Sequence, residues 1–396
     1  MSPDAEVRSL GSIAVFKSGG TPSKSRLDYW EGDFPWVSAK DLKSPILKDS
    51  IDHLSTAGFA VGSIAPENSL LILVRGMTLH KDVPVCLAGR DIAFNQDIKA
   101  LIVSKEINPK YLLFFLHAQK NRLLDLVDSA GHGTGRLNTT SLMAFPVLIP
   151  SLPEQNAIAD FFSTWDAAIE KTERLIAAKE NGFKGLVQKL VLTPSQIKGH
   201  WKHSRISDIS KRIQRRPNGD ELPILTISSA SGFVLQEEKY SRYMAGESIK
   251  NYILLRKGEF AYNKGNSLRY QFGCVFKIEA YNEALVPHVY VCFKLNPGVD
   301  SEYIDHLFHA DYLKRQLGRI VKTGVRNNGL LNIKPDEFMN VTIPIPSFDQ
   351  QKQIASTLNT ARQEIDLLKK QAEAFRKQKR GLMQKLLTGQ WRVKVA

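Results

Sequence analysis

The chain is 396 residues long, 43% hydrophobic and 24% charged, so two or three domains with cores of their own are expected. Its longest apolar runs, such as SLLILV at 69–74, fall far short of a bilayer span, and MSPDAEVRSL lacks the order of a secretion signal. Three scattered cysteines (Cys86, Cys274, Cys292) form no CxxC, which disfavours a disulfide framework or zinc site and points to a reduced, cytoplasmic setting. The net charge of +14 is uneven. Lys+Arg against Asp+Glu count 16 to 15 over 1–148, 5 to 6 over 149–197, 22 to 15 over 198–345 and 11 to 4 over 346–396. A positive field concentrated in the second half suits a polyanion.

In chain order, 1–148 shows short β-type runs (SIAVF, LLILV, KALIV) broken by Gly, Pro and Asn, then a helix carrying Tyr111 and His117-Ala118, then GHGTGRLN at 131–138. Residues 154–191 predict a long helix of about 55 Å at about 1.5 Å per residue. Its apolar positions step by four and three: Ile158, Phe162, Trp165, Ile169, Thr172, Ile176, Lys179, Phe183, Leu186 and Leu190. Residues 198–345 repeat the layout with PILTI, VYVCF and VTIPI, Tyr303 with His309-Ala310, and TGVRNNGLLN at 323–332. A second long helix over 350–387 carries Ile354, Leu358, Ala361, Ile365, Leu368, Ala372, Phe375, Lys379, Leu382 and Leu386.

The two halves repeat at a fixed offset of 196. Ile149-Pro150-Ser151 returns as Ile345-Pro346-Ser347, GLVQKL at 185–190 as GLMQKL at 381–386, and Gln155, Ile158, Ala159 and Ile169 as Gln351, Ile354, Ala355 and Ile365. The expected fold is α+β: two mixed α/β domains, 1–148 and 198–345, separated by helices in 149–197 and 346–396. The helices pack as an antiparallel coiled coil, and the internal repeat gives a pseudo-two-fold. Few ligands share that symmetry, and duplex DNA is the commonest. Within the seam, Lys179 then Phe183 becomes Phe375 then Lys379, a swap that favours pairing of unlike copies over self-pairing; lysine stems snorkelling at the seam edge are the plainer account. Gly185 and Gly381 each cost about 1 kcal/mol inside a helix and mark either a close crossing or a bend.

Catalytic motifs are missing. There is no GxxxxGK[ST], no GxGxxG, no Asn/Asp-Pro-Pro-aromatic tetrapeptide of an amino-methyltransferase and no nuclease-type acid–lysine set. His200/His203 and His306/His309 have helical spacing without accompanying ligands, so packed or surface histidines are expected. What remains is a set of basic, Gly/Asn-rich loops, in which glycine permits close backbone approach while Arg, Lys and Asn supply donors for phosphates and base edges. In the first half the candidates are Thr21, Ser23 and Lys24; Arg75 and Lys81; and His132, Thr134 and Arg136. In the second they are Lys211, Arg212, Arg215 and Arg216; Lys264, Asn266, Arg269 and Tyr270; and Lys322, Arg326 and Asn327. The alternative for each loop is a solvated turn.

This layout resembles the specificity (S) subunits of type I restriction-modification systems. The opening GGTPSKSRLDYWEGDFPWVSAKDL, with Gly19, Gly20, Thr21, Pro22, Tyr29, Trp30, Gly32 and Trp36, resembles the start of that family's target-recognition domains. IPSLPEQ and IPSFDQQ, with GLVQKL and GLMQKL, resemble the beginnings and ends of its helical spacers. The second half has ISDISKRIQRRPNGDELPILTIS where the GGTPS…YW opening would stand. The resemblance implies a non-catalytic DNA-binding subunit, each globular domain reading one half of a bipartite, asymmetric target. It implies that the helices set the gap and bind two modification (methyltransferase) subunits, and that restriction subunits join them. S-adenosylmethionine, ATP and Mg would belong to those partners, with no cofactor on this chain. A self-contained DNA methyltransferase or nuclease, and a helical assembly scaffold with a non-DNA ligand, are the competing readings.

Overall fold

The computed structural model describes residues 5–130, 133–193, 201–217, 222–239, 246–265, 267–321 and 331–393. It divides into two compact units, residues 1–173 with 370–396, and residues 174–369, so that each unit holds one globular head and part of each long helix.

In the first unit the head opens and closes on one antiparallel pair, Glu6–Ser9 with Pro146–Ile149. Its main sheet orders Ala14–Ser18, Ile98–Val103, Leu70–Leu73, Val85–Ala88 and Ile46–Leu47; all neighbours are antiparallel except the last pair. Leu70–Leu73 is buried at every position, the continuous apolar run expected of a strand covered on both faces. A second sheet joins Asp52–Leu54, Trp30–Val37, Ile92–Phe94 and Ile64–Ala65. The helix Pro109–Ala118 begins on Asn108, whose side-chain oxygen accepts the amides of Lys110 and Tyr111, and Pro109 sits where no amide hydrogen is needed.

The second unit repeats the frame. Lys202–Arg205 pairs with Thr342–Ile345, at the same offset of 196 as in the first unit. Its central sheet orders Ser210–Ile213, Val291–Leu295, Phe260–Asn263 and Cys274–Lys277, and the helix Ser301–His309 is capped by Asp300. The runs SIAVF, LLILV, KALIV, PILTI, VYVCF and VTIPI all overlap strands.

The duplicated residues are the fasteners of this frame. Gln155 and Gln351 are each 1% exposed. Gln155 donates to the Pro150 carbonyl at 2.9 Å and accepts the Asn108 amide at 2.9 Å; Gln351 donates to the Pro346 carbonyl at 2.9 Å and accepts the Asp300 amide at 2.8 Å. Tyr111 and Tyr303 donate their hydroxyls to the carbonyls of Leu148 and Pro344. One buried amide thus ties a long helix to the turn before it and to the capped helix of its head.

The long helices span Leu152–Val187 and Phe348–Leu387, and the first ends in a π-type turn at Gln188–Leu192. Both units pair them antiparallel. In the first, Asp166 meets Lys379, Glu173 meets Arg376, and Trp165 packs edge-on to Phe375 at 5.8 Å. In the second, Lys179 meets Glu364 and Glu180 meets Lys369, both at 2.7 Å. The swapped lysines of the seam therefore each find an acid on the other helix. At the 196 offset, Asp166 is replaced by Arg362 and Glu364 by Ala168, so like copies could not make these pairs. Part of the seam faces a head instead of a helix. Ile158, Phe162, Leu382 and Leu386 join the first head's core; Phe183, Leu186, Leu190, Ile354 and Leu358 join the second's, while Ile365 is 7% exposed on the second helix and Ile169 half-buried on the first. A Cβ added to Gly185 or Gly381 would meet nothing within 4 Å, so neither marks a close crossing.

Candidate nucleic-acid interface

In the first unit two of the predicted loops meet the turn Phe94–Asp97, which lies between the strands Ile92–Phe94 and Ile98–Val103, and the third pairs with one of those two. Gly20 donates its amide to the Phe94 carbonyl, and the Thr21 hydroxyl donates to Gln96 at 2.7 Å. On the other side, the amides of Val74 and Arg75 both reach the Asp97 carbonyl. Gly19 must be glycine: a Cβ there would lie 1.9 Å from the Asn95 carbonyl oxygen.

The aromatic motif closes this loop. Trp30 and Trp36 lie edge to face at 5.2 Å, and their indole N–H groups donate to the carbonyls of Ser23 and Gly20, each at 3.2 Å. A Cβ on Gly32 would lie 2.3 Å from the Leu54 carbonyl oxygen, which requires the close approach of those strands. The Gly-Gly-Thr-Pro…Tyr-Trp pattern is thus a clasp that holds 19–26 against the sheet. Pro22 is buried and the Ser23 hydroxyl bonds Ser25, whereas Lys24 is exposed.

The segments RGMTLHK and GHGTGR, expected as loops, are partly strand. Arg75–Gly76 pairs with Thr134–Leu137, which pairs with Val127–Ala130. In this ladder Asp128, Arg136 and Arg75 stand opposite one another and so share a face, on which Thr134 lies two residues from Arg136. Gly135 is pressed on Leu79, where a Cβ would lie 2.8 Å from the Leu79 Cβ, and His80 bonds the Gly133 carbonyl at 2.7 Å. Arg136 thus stands between Asp128 and Arg75; the two exposed arginines repel one another, and neither has an ion pair within 4.0 Å among the described residues. Such a pair is suited to an anion held from outside. Lys81 is exposed beside them, and His132 lies outside the described residues.

The second unit gathers fewer of its candidates. Leu331 donates its amide to the Lys264 carbonyl, which brings the segment that starts at Leu331 to Lys264 of the NKGNSLRY loop. Arg269 is exposed and lies over the Tyr270 ring at 5.2 Å. Tyr270, a predicted base contact, is instead 3% exposed and packs edge-on to Phe276, so its ring belongs to the core. Asn266, Lys322, Arg326 and Asn327 lie outside the described residues.

The KRIQRR run does not join that loop. Arg215 makes a two-pronged pair with Glu259, whose side chain is 4% exposed, and Arg216 donates to the Asn251 carbonyl at 2.6 Å. These two fasten the strand Ile253–Arg256 and the turn after it. Lys211 and Arg212 are exposed on Ser210–Ile213, at the far side of the sheet. Gln96, which sequence reasoning passed over, is exposed at the centre of the first unit's cluster; only its place in the polar turn Asn-Gln-Asp between two apolar strands marks it.

His306 is buried and bonds Asn359, and His309 pairs with Asp305; the described residues contain no group of three or more potential metal ligands. Burial pushes the thiols of Cys86 and Cys274 up to about 12, far from a reactive thiolate. Among the described residues no helix is long and apolar enough to cross a membrane.

Residues 3–180 match the family of the type I restriction modification DNA specificity domain. The specificity subunit of the EcoR124I/EcoR124II restriction enzyme of Escherichia coli is 30% identical over 166 residues, which is 41% of each chain. That of MjaVIII from Methanocaldococcus jannaschii is 22% identical over 99% of this chain and 94% of its own. The crystal structure of a type I restriction-modification S subunit from M. genitalium superposes with a TM-score of 0.59 at 16% identity, covering 98% of this chain and 97% of that one, and shares its fold. The chain is thus similar along its length to specificity subunits of type I restriction-modification systems, and its residues 3–180 match the DNA specificity domain of that family.

Proposed function

We propose that the chain is the DNA-reading, non-catalytic component of a type I restriction-modification complex, with each head reading one half of a bipartite and asymmetric target. The observation that carries this is the frame itself. Two copies of one fastening scheme hold two heads whose exposed loops differ in almost every residue. In the first head, Lys24, Gln96, Arg75, Arg136, Thr134 and Lys81 form the reading surface; in the second, Arg269 and the segments around Lys264 and Leu331 do. The arginines suit guanine or phosphate, and Gln96 suits adenine.

The long helices would set the gap between half-sites and carry two modification subunits, with restriction subunits joining the assembly. Methyl transfer from S-adenosylmethionine and ATP-driven steps with Mg would take place on those partners. Adding one helical turn moves a head by about 5.4 Å, so the gap should change while both half-sites stay the same.

Expression with the modification subunits, followed by genome-wide mapping of methylated adenines, tests this reading. A two-part motif with an undefined gap is expected. Methyl transfer or cleavage by the purified chain alone, given duplex DNA, S-adenosylmethionine and magnesium, would overturn it.

A further inference from the structure

Both units carry a cleft at the same place in the fold. In the first unit it lies between the turn into Leu70–Leu73 and the turn from Ile98–Val103 to the helix; in the second it lies between the turn into Phe260–Asn263 and the turn from Val291–Leu295 to the helix. The strand registers make Glu67 equivalent to Lys257, Asn68 to Gly258, Ser69 to Glu259 and Ile102 to Lys294. Asn68 (φ 67°) and Gly258 (φ 85°) make the same left-handed step. On the neighbouring strand, Val15 opposite Ile102 corresponds to Lys211 opposite Lys294.

The linings have opposite characters. In the first unit Glu67 and Lys105 balance one another among Ile102, Val103 and Ile107. In the second the cleft has a volume of about 700 Å³ and is lined by Lys211, Lys257, Lys294 and Arg256, with Glu259 as its acid. Glu259 is already taken by Arg215 and by the Arg256 amide, and Arg256 by Glu283. The three lysines make no ion pair among the described residues, and Lys211 and Lys294 stand directly opposite in the sheet, where like charges repel.

We propose that this cleft is a second, sequence-indifferent binding surface for the phosphate backbone of duplex DNA, present on the second unit only. The inference rests on reading the chain as a DNA-binding subunit. Its chemistry is that of phosphate: lysine ammonium groups are mobile point charges without the planar fork that discriminates base edges. Lysine is depleted in the cores of protein interfaces, which disfavours an acidic partner protein. The cleft lies at the Leu295 end of the sheet, whereas the loop after Asn263 lies at the other. DNA held here is therefore not the half-site that the loops address, and it contributes affinity without information.

The test uses the full chain assembled with its modification subunits. Binding to duplex DNA is measured against salt for wild type and for Lys211→Ser/Lys257→Ser/Lys294→Ser. The salt slope should fall by about two to three, near 0.9 for each phosphate no longer neutralised, with the recognised motif and the preference over random duplex unchanged. The reciprocal variant Glu67→Lys/Ile102→Lys, which builds the missing charge into the first unit's cleft, should steepen the slope. An unchanged slope in the triple variant overturns the proposal, and so does an unchanged slope accompanied by loss of the modification subunits, which would assign the lysines to an acidic protein surface. Wild-type complex that shows no preference over random duplex would instead sink the underlying reading of the chain.

Discussion

The two units differ least where they are fastened and most where they are exposed. Gln155 and Gln351 make the same two buried hydrogen bonds, and the paired strands Glu6–Ser9 with Pro146–Ile149 and Lys202–Arg205 with Thr342–Ile345 keep one register. The first head clasps its loop with two tryptophans and opposes Arg75 to Arg136; the second spends Arg215 on Glu259 and opposes Lys211 to Lys294. A buried hydrogen-bonding group tolerates little change, because an unmade bond costs the full desolvation of its partner. An exposed loop on a rigid frame can change freely. The duplication therefore preserved the holder and let the readers diverge.

The strongest way to break this comparison is to remove a fastener. Gln155→Ala or Gln351→Ala should each cost roughly 2–4 kcal/mol, since a buried amide and a buried carbonyl both lose their partner. Chemical unfolding, with hydrogen exchange to localise the loss, should show similar penalties, each in its own unit. Widely unequal penalties would mean that the frames are not energetically alike.

An ion pair unique to one unit comes next. Arg392 makes a two-pronged pair with Glu154, whose side chain is 4% exposed, while that of Arg392 is 30% exposed. Arg392→Ala should cost about 2 kcal/mol, below the roughly 3–5 of a fully buried pair. The hydrogen bonds from Arg392 hold the Glu154 carboxyl below its ordinary range. Its contribution is thus complete above that range and is lost as pH falls through the folded value. Thermal unfolding from neutral pH toward pH 3 should show a smaller acid-induced loss in Arg392→Ala than in wild type.

The readers themselves supply the third contrast. Arg136→Ala should weaken binding about tenfold, near 1.4 kcal/mol, and should change stability little, because the repulsion from Arg75 and the attraction to Asp128 are removed together. Salt-dependent binding indistinguishable from wild type would remove Arg136 from the interface. The smallest effect is expected at the repeated glycines. With open space around them, Gly185→Ala and Gly381→Ala should each stabilise by about 1 kcal/mol, and a loss of stability at either would show that the helix needs glycine there.

Much of this was legible in the residues. The offset of 196, the heptad steps and the apolar runs located both helices and the principal strands, because periodicity reports burial directly. The Gly-Gly-Thr-Pro and tryptophan motif could be recognised but not explained, since the carbonyls its indoles reach belong to a loop whose path is tertiary. Arginines were the hardest to sort. Arg136 and Arg215 look alike in sequence, yet one faces outward from a ladder and the other is consumed by Glu259, because ion pairing joins residues forty-odd positions apart. Tyr270 differs from its expected place for another reason: a tyrosine in a Gly/Asn-rich loop is drawn inward when a core aromatic such as Phe276 lies beneath it. The lysine cleft escaped notice because Lys257 and Lys294 reach Lys211 only through strand register.

The central claim, that two unlike readers are carried on one duplicated holder, is tested most directly by exchange of the first head. A chimera carrying residues 1–148 of another specificity subunit is expressed with the modification subunits, and its methylated sites are mapped across a genome. One half-site should be replaced while the other half-site and the gap remain; replacement of both halves, or of neither, would contradict the account.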